Sequence, residues 1–118
     1  MPACERPPTV VPGLYGVQQL VAGDAHTLAL MNDDTVKAWG RNEYGQLGLD
    51  DTTHRQVPTV VPGLSGVQQL AAGVYHTLAL MNDGTVKAWG DNGYGQLGLN
   101  DTTQRLTPTV VLLNYYFK

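Results

Sequence analysis

The sequence predicts an all-β protein in which one four-stranded unit occurs twice. Residues 8–57 and 58–107 are copies of each other without insertion or deletion, and 39 of their 50 positions are identical. Glycines and prolines recur at fixed places between short apolar runs, which is typical of short strands joined by tight turns. A repeat of this length indicates a solenoid, a propeller or another array of similar units.

Each copy contains four strand-like segments. In the first copy the sequence predicts strands at 17–22, 26–31 and 35–39, followed by a long loop over 41–53. The fourth strand is predicted at 58–61, with proline at its first residue, where a missing amide donor is tolerated. The turn at 32–34 returns in the second copy as Asn82-Asp83-Gly84, a stronger hairpin signal because glycine accepts positive φ.

Neither face of these strands is properly polar. Leu28 and Leu30 alternate with Ala29 and Met31, so one face is bulky and the other is small. A sheet with one face in water would alternate apolar and charged residues. The pattern instead favours sheets covered on both sides by similar sheets, and four short strands per unit describe a propeller blade. The sequence therefore predicts two four-stranded antiparallel blades per chain.

Two blades cannot close a propeller, which has typically four to eight. Either oligomerisation completes the ring or the chain is a propeller fragment. The motif Pro-Thr-Val-Val begins at positions 8, 58 and 108, whereas the first three strands occur only twice. We expect 108–111 to add an extra strand after the second copy and 8–11 to complete a neighbouring blade, in this chain or another. Residues 1–7 are predicted as an N-terminal tail.

The residues after the last motif depart from the repeat. Residues 112–118 are apolar, β-prone and nearly uncharged, so they form either a capping strand or an aggregation-prone tail. Cys4 is the only cysteine and cannot form an internal disulfide. Because the sequence shows no signal peptide and no segment long enough to cross a membrane, we expect a cytoplasmic protein without a membrane partner.

The charge distribution argues against several classes of function. The formal net charge is −3, and the lysines and arginines are scattered instead of clustered. A surface for phosphate groups requires a basic stripe, so we expect no direct binding of nucleic acid.

The candidate chemistry is sparse. His26 and His76 occupy the same position of the two copies, and this repetition predicts hydrogen-bonded structural residues in place of catalysts. The acidic pairs at 50–51 and 100–101 lack the alternating oxygen ligands of a calcium loop and are predicted as turns. The tryptophan that ends the third strand of each copy is predicted to pack between blades. We expect no catalytic residue, no cofactor and no metal.

The eleven positions at which the copies differ point to a surface. Packing positions should stay alike because each blade must fit the next, so differing positions are expected to face solvent or a partner. Loops on a rigid scaffold are where recognition usually occurs. Five loop residues are therefore candidates for partner binding: Asp24, Arg41, Glu43, Tyr75 and Asp91. Neutral drift after duplication would also explain these differences.

The spacing of the polar landmarks in each copy resembles a known family. Ala22-Gly23, His26-Thr27-Leu28, Asp33-x-Thr35-Val36, Trp39-Gly40 and Gly45-Gln46-Leu47-Gly48 resemble the repeat of the regulator of chromosome condensation family, and the second copy fits it better. The resemblance implies that each copy is one blade of a propeller, and propellers of this family have seven blades. The protein after which the family is named is an exchange factor for the GTPase Ran, which implies a regulatory role.

The departures from the family limit what the resemblance implies. This sequence has two repeats where the family has seven, without an inserted hairpin for a GTPase or a basic arm before the repeats. We therefore expect a non-enzymatic β-propeller scaffold for protein–protein interaction. Its partner is either another protein or a second copy that closes the propeller by self-association. The alternative is a regulatory module resembling a guanine-nucleotide exchange factor for a small GTPase.

Overall fold

The computed structural model describes residues 7–111, and within that range it confirms the all-β prediction. The tails predicted at 1–7 and 112–118 lie, apart from residue 7, outside the described residues. No helix in the described range is long and apolar enough to span a bilayer. The described part of the chain contains eight strands: β1 (Val17–Ala22), β2 (His26–Met31), β3 (Val36–Gly40), β4 (Arg55–Val60), β5 (Val67–Ala72), β6 (His76–Met81), β7 (Val86–Gly90) and β8 (Arg105–Val111).

The strands form two sheets of the same topology. β1 to β4 form one antiparallel four-stranded sheet in chain order, here called blade 1, and β5 to β8 form the other, blade 2. In blade 1 Leu28 lies opposite Ala38 and Leu30 lies opposite Val36, so these four side chains share one face. This register confirms the two faces predicted from the alternation of large and small side chains.

The outer strand of each blade begins earlier than the proline motif predicted. β4 starts at Arg55 because Gly40, at the end of β3, pairs with Arg55 across a bulge. The Arg55 guanidinium donates to both oxygens of Asp51, at 3.2 and 2.8 Å, and this fixes the chain entering the strand. Residues 8–11 form no strand and are exposed, so they complete neither of the two blades.

A buried asparagine organises the long loop between β3 and β4. Asn42 Nδ2 donates to the carboxylate of Asp51 and to the carbonyl of Thr53, each at 3.0 Å. Its Oδ1 accepts from the Leu47 amide at 3.0 Å. Asn92 makes the same set of bonds in blade 2. Each loop is therefore folded by its own residues into a compact unit, and the loop of blade 1 contacts blade 2.

The core lies between the two blades. Blade 1 contributes the bulky face of β2 and β3, and blade 2 contributes the opposite face of its sheet. The buried apolar side chains of this core include Leu28, Leu30, Val36 and Ala38 from blade 1, and Leu70, Ala79, Met81 and Trp89 from blade 2. Two different faces of one repeat therefore meet, which is the geometry of neighbouring propeller blades.

Candidate functional site

A buried cluster of hydrogen bonds locks blade 1 to blade 2. The backbone carbonyl of Gln46 accepts a hydrogen bond from the Thr77 hydroxyl at 2.8 Å and another from Trp89 Nε1 at 2.9 Å. His26 Nε2 lies 3.1 Å from the Thr77 oxygen. Because the threonine proton points to Gln46, the histidine must donate through Nε2–H to satisfy both bonds. One blade thus supplies the histidine and the carbonyl, and the next supplies threonine and tryptophan.

His26 is neutral in this cluster. The pKa of His26 is lowered from its usual 6.5 to about 4, first by burial and then by the nearby His76, while a backbone hydrogen bond with His76 opposes the shift. His26 is 2% exposed, so a charged ring would be a desolvated cation at this site. The prediction of a hydrogen-bonded structural histidine is confirmed at this position.

Two side chains of blade 1 also bond to the backbone of blade 2. Gln19 accepts from the Leu70 amide at 2.9 Å and donates to the Leu70 carbonyl at 3.4 Å. Both oxygens of Asp34 lie 3.0 Å from the Gly66 amide. In the second copy the residue matching Asp34 is Gly84, which has no side chain to repeat this bond.

At one end of the junction an aromatic ring of blade 2 fits against the loops of blade 1. The Tyr75 ring packs on Tyr44 with their centroids 4.9 Å apart. The Arg41 guanidinium lies 6.0 Å from the Tyr75 centroid and is paired with Glu43. Beside them the Asp24 amide donates to the Val74 carbonyl at 3.3 Å. We call this arrangement of ring and surrounding loops the filled tip slot.

Blade 1 exposes the face that blade 2 buries. Leu20 and Leu70 occupy the same position of the repeat, yet Leu20 is 58% exposed and Leu70 is 2% exposed. Trp39 is likewise half-buried, whereas Trp89 is fully buried. The difference arises because blade 1 covers this face of blade 2, and no described residue covers it as fully on blade 1.

Blade 2 exposes the complementary face. Leu78, Leu80 and Val86 are partly exposed, although their counterparts in blade 1 are buried. The same flank carries His76 and Gln96, the counterparts of His26 and Gln46. The two ends of the pair thus carry the two unmatched halves of the set of contacts that joins the blades.

At the equivalent place on blade 2, no aromatic side chain from a following blade occupies the space between the loops in the described part of the chain. The space is a cavity of about 390 Å³ on the open flank. Six residues line this empty tip slot: Val74, Tyr75, His76, Asp91, Tyr94 and Gln96. Ala25 in the first copy corresponds to Tyr75, and Arg41 corresponds to Asp91. The empty slot therefore has an additional aromatic wall and a carboxylate where the filled slot has a cation.

The structure brings the five candidate partner-binding residues to the tips of the blades. Asp24, Arg41 and Tyr75 lie at the junction of the two blades, and Glu43 is paired with Arg41. Asp91 lines the empty tip slot. Their role in binding a partner stays a prediction.

Sequence reasoning missed Gln46 and Gln19 as contacts between blades. Both are identical in the two copies, and Gln46 also lies in the Gly45-Gln46-Leu47-Gly48 motif, but neither signal indicates a contact between blades. Across residues 7–111 no group of three or more His, Cys, Asp or Glu side chains is placed to hold a metal ion.

Fold and contacts together define a pair of propeller blades joined by one set of buried hydrogen bonds and apolar contacts. The family described as regulator of chromosome condensation (RCC1) repeat matches residues 33–80 and 83–114, and a second description of the same repeat matches 17–46 and 67–96. The chain belongs to this family.

Proteins containing such repeats resemble parts of this chain. The Ultraviolet-B receptor UVR8 of Arabidopsis thaliana is 45% identical over 47 residues, which are 38% of this chain and 11% of that protein. Protein pim1 of Schizosaccharomyces pombe is 48% identical over 46 residues, which are 37% of this chain and 8% of that protein. The matched segments thus span about a tenth of these relatives.

Solved structures show the same fold. The crystal structure of human WBSCR16 aligns with a TM-score of 0.78 and 29% identity, over 89% of this chain and 28% of that chain. Yeast RCC1 (Prp20), solved bound to Kap60, aligns with a TM-score of 0.74 and 30% identity, over 92% of this chain and 25% of that chain. The present chain thus corresponds to about a quarter of each of these β-propellers.

Proposed function

We propose that this chain is a non-enzymatic β-propeller scaffold for protein–protein interaction, which closes its propeller by self-association. One observation carries the proposal: the flanks of the blade pair hold the two unmatched halves of the contacts that join blade 1 to blade 2. Exposed apolar faces of this kind are typical of interaction surfaces. The solved structure of a related propeller bound to Kap60 supports a protein as the partner.

The junction between blade 1 and blade 2 is a template for the docking of a second copy of the chain. Thr27 and Trp39 of the incoming chain would take the places of Thr77 and Trp89, and Gln96 would supply the carbonyl that Gln46 supplies within the chain. Leu20 would be buried as Leu70 is. Because the contact joins different faces, it is heterologous and continues until a ring closes. Two, three or four chains would give rings of four, six or eight blades.

The native mass of the purified chain tests this assembly. We expect a species that is a small multiple of the 12.7 kDa chain. Leu20→Glu should reduce it to a single chain, because an exposed glutamate is tolerated there but a buried, unpaired one is not. Thr102→Glu is the matched control, since this exposed loop position makes none of the contacts between the blades. A folded wild-type chain that stays single at every concentration would contradict self-association.

The alternative is an exchange factor for a small GTPase. The structure of Prp20p from Saccharomyces cerevisiae was solved and reported together with its binding properties to Gsp1p and histones, but at 20% identity that likeness shows the fold alone. Release of labelled nucleotide from candidate GTPases tests the alternative, and acceleration by this chain would favour it over the scaffold.

A further inference from the structure

The empty tip slot differs from the filled tip slot in chemistry as well as in occupancy. In the filled slot, the Tyr75 ring has Tyr44 on one side and the cationic Arg41 nearby. The blade pair thus already holds a guanidinium beside a tyrosine ring at this place in the repeat. Such cation–π contacts stabilise a complex by about 0.5–1 kcal/mol at exposed sites.

The second copy keeps the aromatic side chains and reverses the charge. Tyr94 replaces Tyr44 as the tyrosine of the loop, and Tyr75 now lines the slot where the first copy has only Ala25. Asp91 stands where Arg41 would supply a cation. The slot therefore has two tyrosines and a carboxylate, and its own loop contributes no cation.

The Asp91 carboxylate is held in place and has capacity for another donor. Oδ1 accepts from the Gly93 amide at 3.1 Å, and Oδ2 accepts from Gln96 Nε2 at 3.3 Å. A carboxylate has about four acceptor positions, so each oxygen can accept a second bond. Burial lowers the pKa of His76 in the wall of the slot, and the nearby Asp91 carboxylate opposes this shift.

We propose that the empty tip slot binds an arginine side chain of a partner protein, with the guanidinium against Tyr75 and Tyr94 and paired with Asp91. Arginine fits better than lysine because its planar guanidinium stacks on aromatic rings and pairs with a carboxylate through two parallel bonds. The net charge of −3 also favours a basic partner. This inference rests on the proposed scaffold function and names the chemistry of its partner.

A second copy of this chain would leave the slot largely empty. The incoming tip carries Ala25 in the position of Tyr75, whose ring occupies the filled tip slot. Alanine is much smaller than tyrosine, so it fills little of the cavity. The site therefore serves a partner other than the neighbouring chain, whether or not the ring has closed.

Nuclear magnetic resonance titration with N-acetylarginine amide tests the proposal. We expect shifts at Tyr75, Asp91 and Tyr94 that saturate in the millimolar range, and none of comparable size with N-acetylcitrulline amide, which is uncharged. Asp91→Asn should weaken binding about threefold to fivefold, the scale of one exposed ion pair. Tyr94→Ala should weaken it similarly without harming the fold, because Tyr94 is 95% exposed.

Asp50→Asn is the matched control. It removes one acid outside the slot and gives the first copy the residue that the second copy already has. Binding unchanged by both slot variants would overturn the proposal, as would stronger shifts with N-acetyltyrosine amide, which would assign the slot to an aromatic ring. The native mass reports self-association separately, so a chain that stays single but binds arginine would overturn only the proposed assembly.

Discussion

The two leucines at the same position of the repeat allow a direct measurement of what one blade contributes to its neighbour. Leu20 and Leu70 lie in identical local sequences, Gln-Gln-Leu, on the first strand of each blade. Strand propensity and unfolded-state effects of Leu→Ala therefore nearly cancel between the two sites. The remaining difference is coverage, because Leu70 is 2% exposed and Leu20 is 58% exposed.

The expected magnitudes follow from this exposure. Leu70→Ala opens a cavity between the blades and should lower the free energy of unfolding by about 3 kcal/mol, within the usual range of 2–5. Leu20→Ala removes a side chain with less than half of its surface buried and should cost roughly 1 kcal/mol. The difference of about 2 kcal/mol should separate the urea midpoints by about 1–2 M.

The assay is urea unfolding at concentrations where the native mass is that of one chain. Equal costs for the two substitutions under those conditions would refute the assignment of Leu20 to an uncovered face. A concentration series adds a second test, because self-association buries Leu20. The cost of Leu20→Ala should then rise toward that of Leu70→Ala as assembly proceeds.

Three further predictions use the same asymmetry. The pKa of His26 is about 4 in the folded chain against a usual 6.5, so the unfolded chain binds the proton first as the pH falls. The free energy of unfolding is therefore unaffected by His26 above pH 6.5 and decreases as the pH falls from 6.5 toward 4. Urea unfolding should show a loss of up to about 2–3 kcal/mol from His26 between pH 7 and pH 4.5. His26→Asn should remove this part of the loss and leave the part that comes from His76, whose pKa is also lowered by burial. Trp89→Phe deletes the donor to the backbone carbonyl of Gln46 in blade 1 and should cost about 2 kcal/mol more than Trp39→Phe by thermal unfolding. Similar costs would contradict a stabilising role for this hydrogen bond between the blades. Gly45→Ala would place a methyl group 2.9 Å from a Cα atom of β8 and should lower the free energy of unfolding by at least about 2 kcal/mol. The control Gly95→Ala should cost only about 1 kcal/mol, for the positive φ of that residue. A smaller loss at Gly45 would mean that the loop lies farther from β8.

The sequence alone predicted the sheets well because periodicity and turns are local. The alternation through Leu28 and Leu30 gave the correct faces, and the glycine turns gave the correct strand order. The start of β4 was missed by three residues, since the pairing of Arg55 with Gly40 depends on a bulge and a long loop that local patterns do not reveal.

The junction itself was less accessible. Positions that differ between the copies were expected to avoid packing, yet Tyr75 and Asp34 differ and make contacts between the blades. The reason is that residues 7–111 contain one junction between blades, so each residue that contacts the other blade is needed in one copy only. A residue of the first copy can therefore contact a different residue of the second copy, and neither residue type has to occur in both copies.

The phase of the outer strands has a consequence for how such a chain can be cut and rejoined. β4 belongs to blade 1, but its last residues, 58–60, open the second sequence copy. Severing the chain between the copies would tear a strand in two, whereas severing it between β4 and β5 would leave both sheets whole. Gain or loss of any 50-residue stretch by recombination, wherever it starts, still leaves intact sheets, so the gene can change its number of units without respecting their borders.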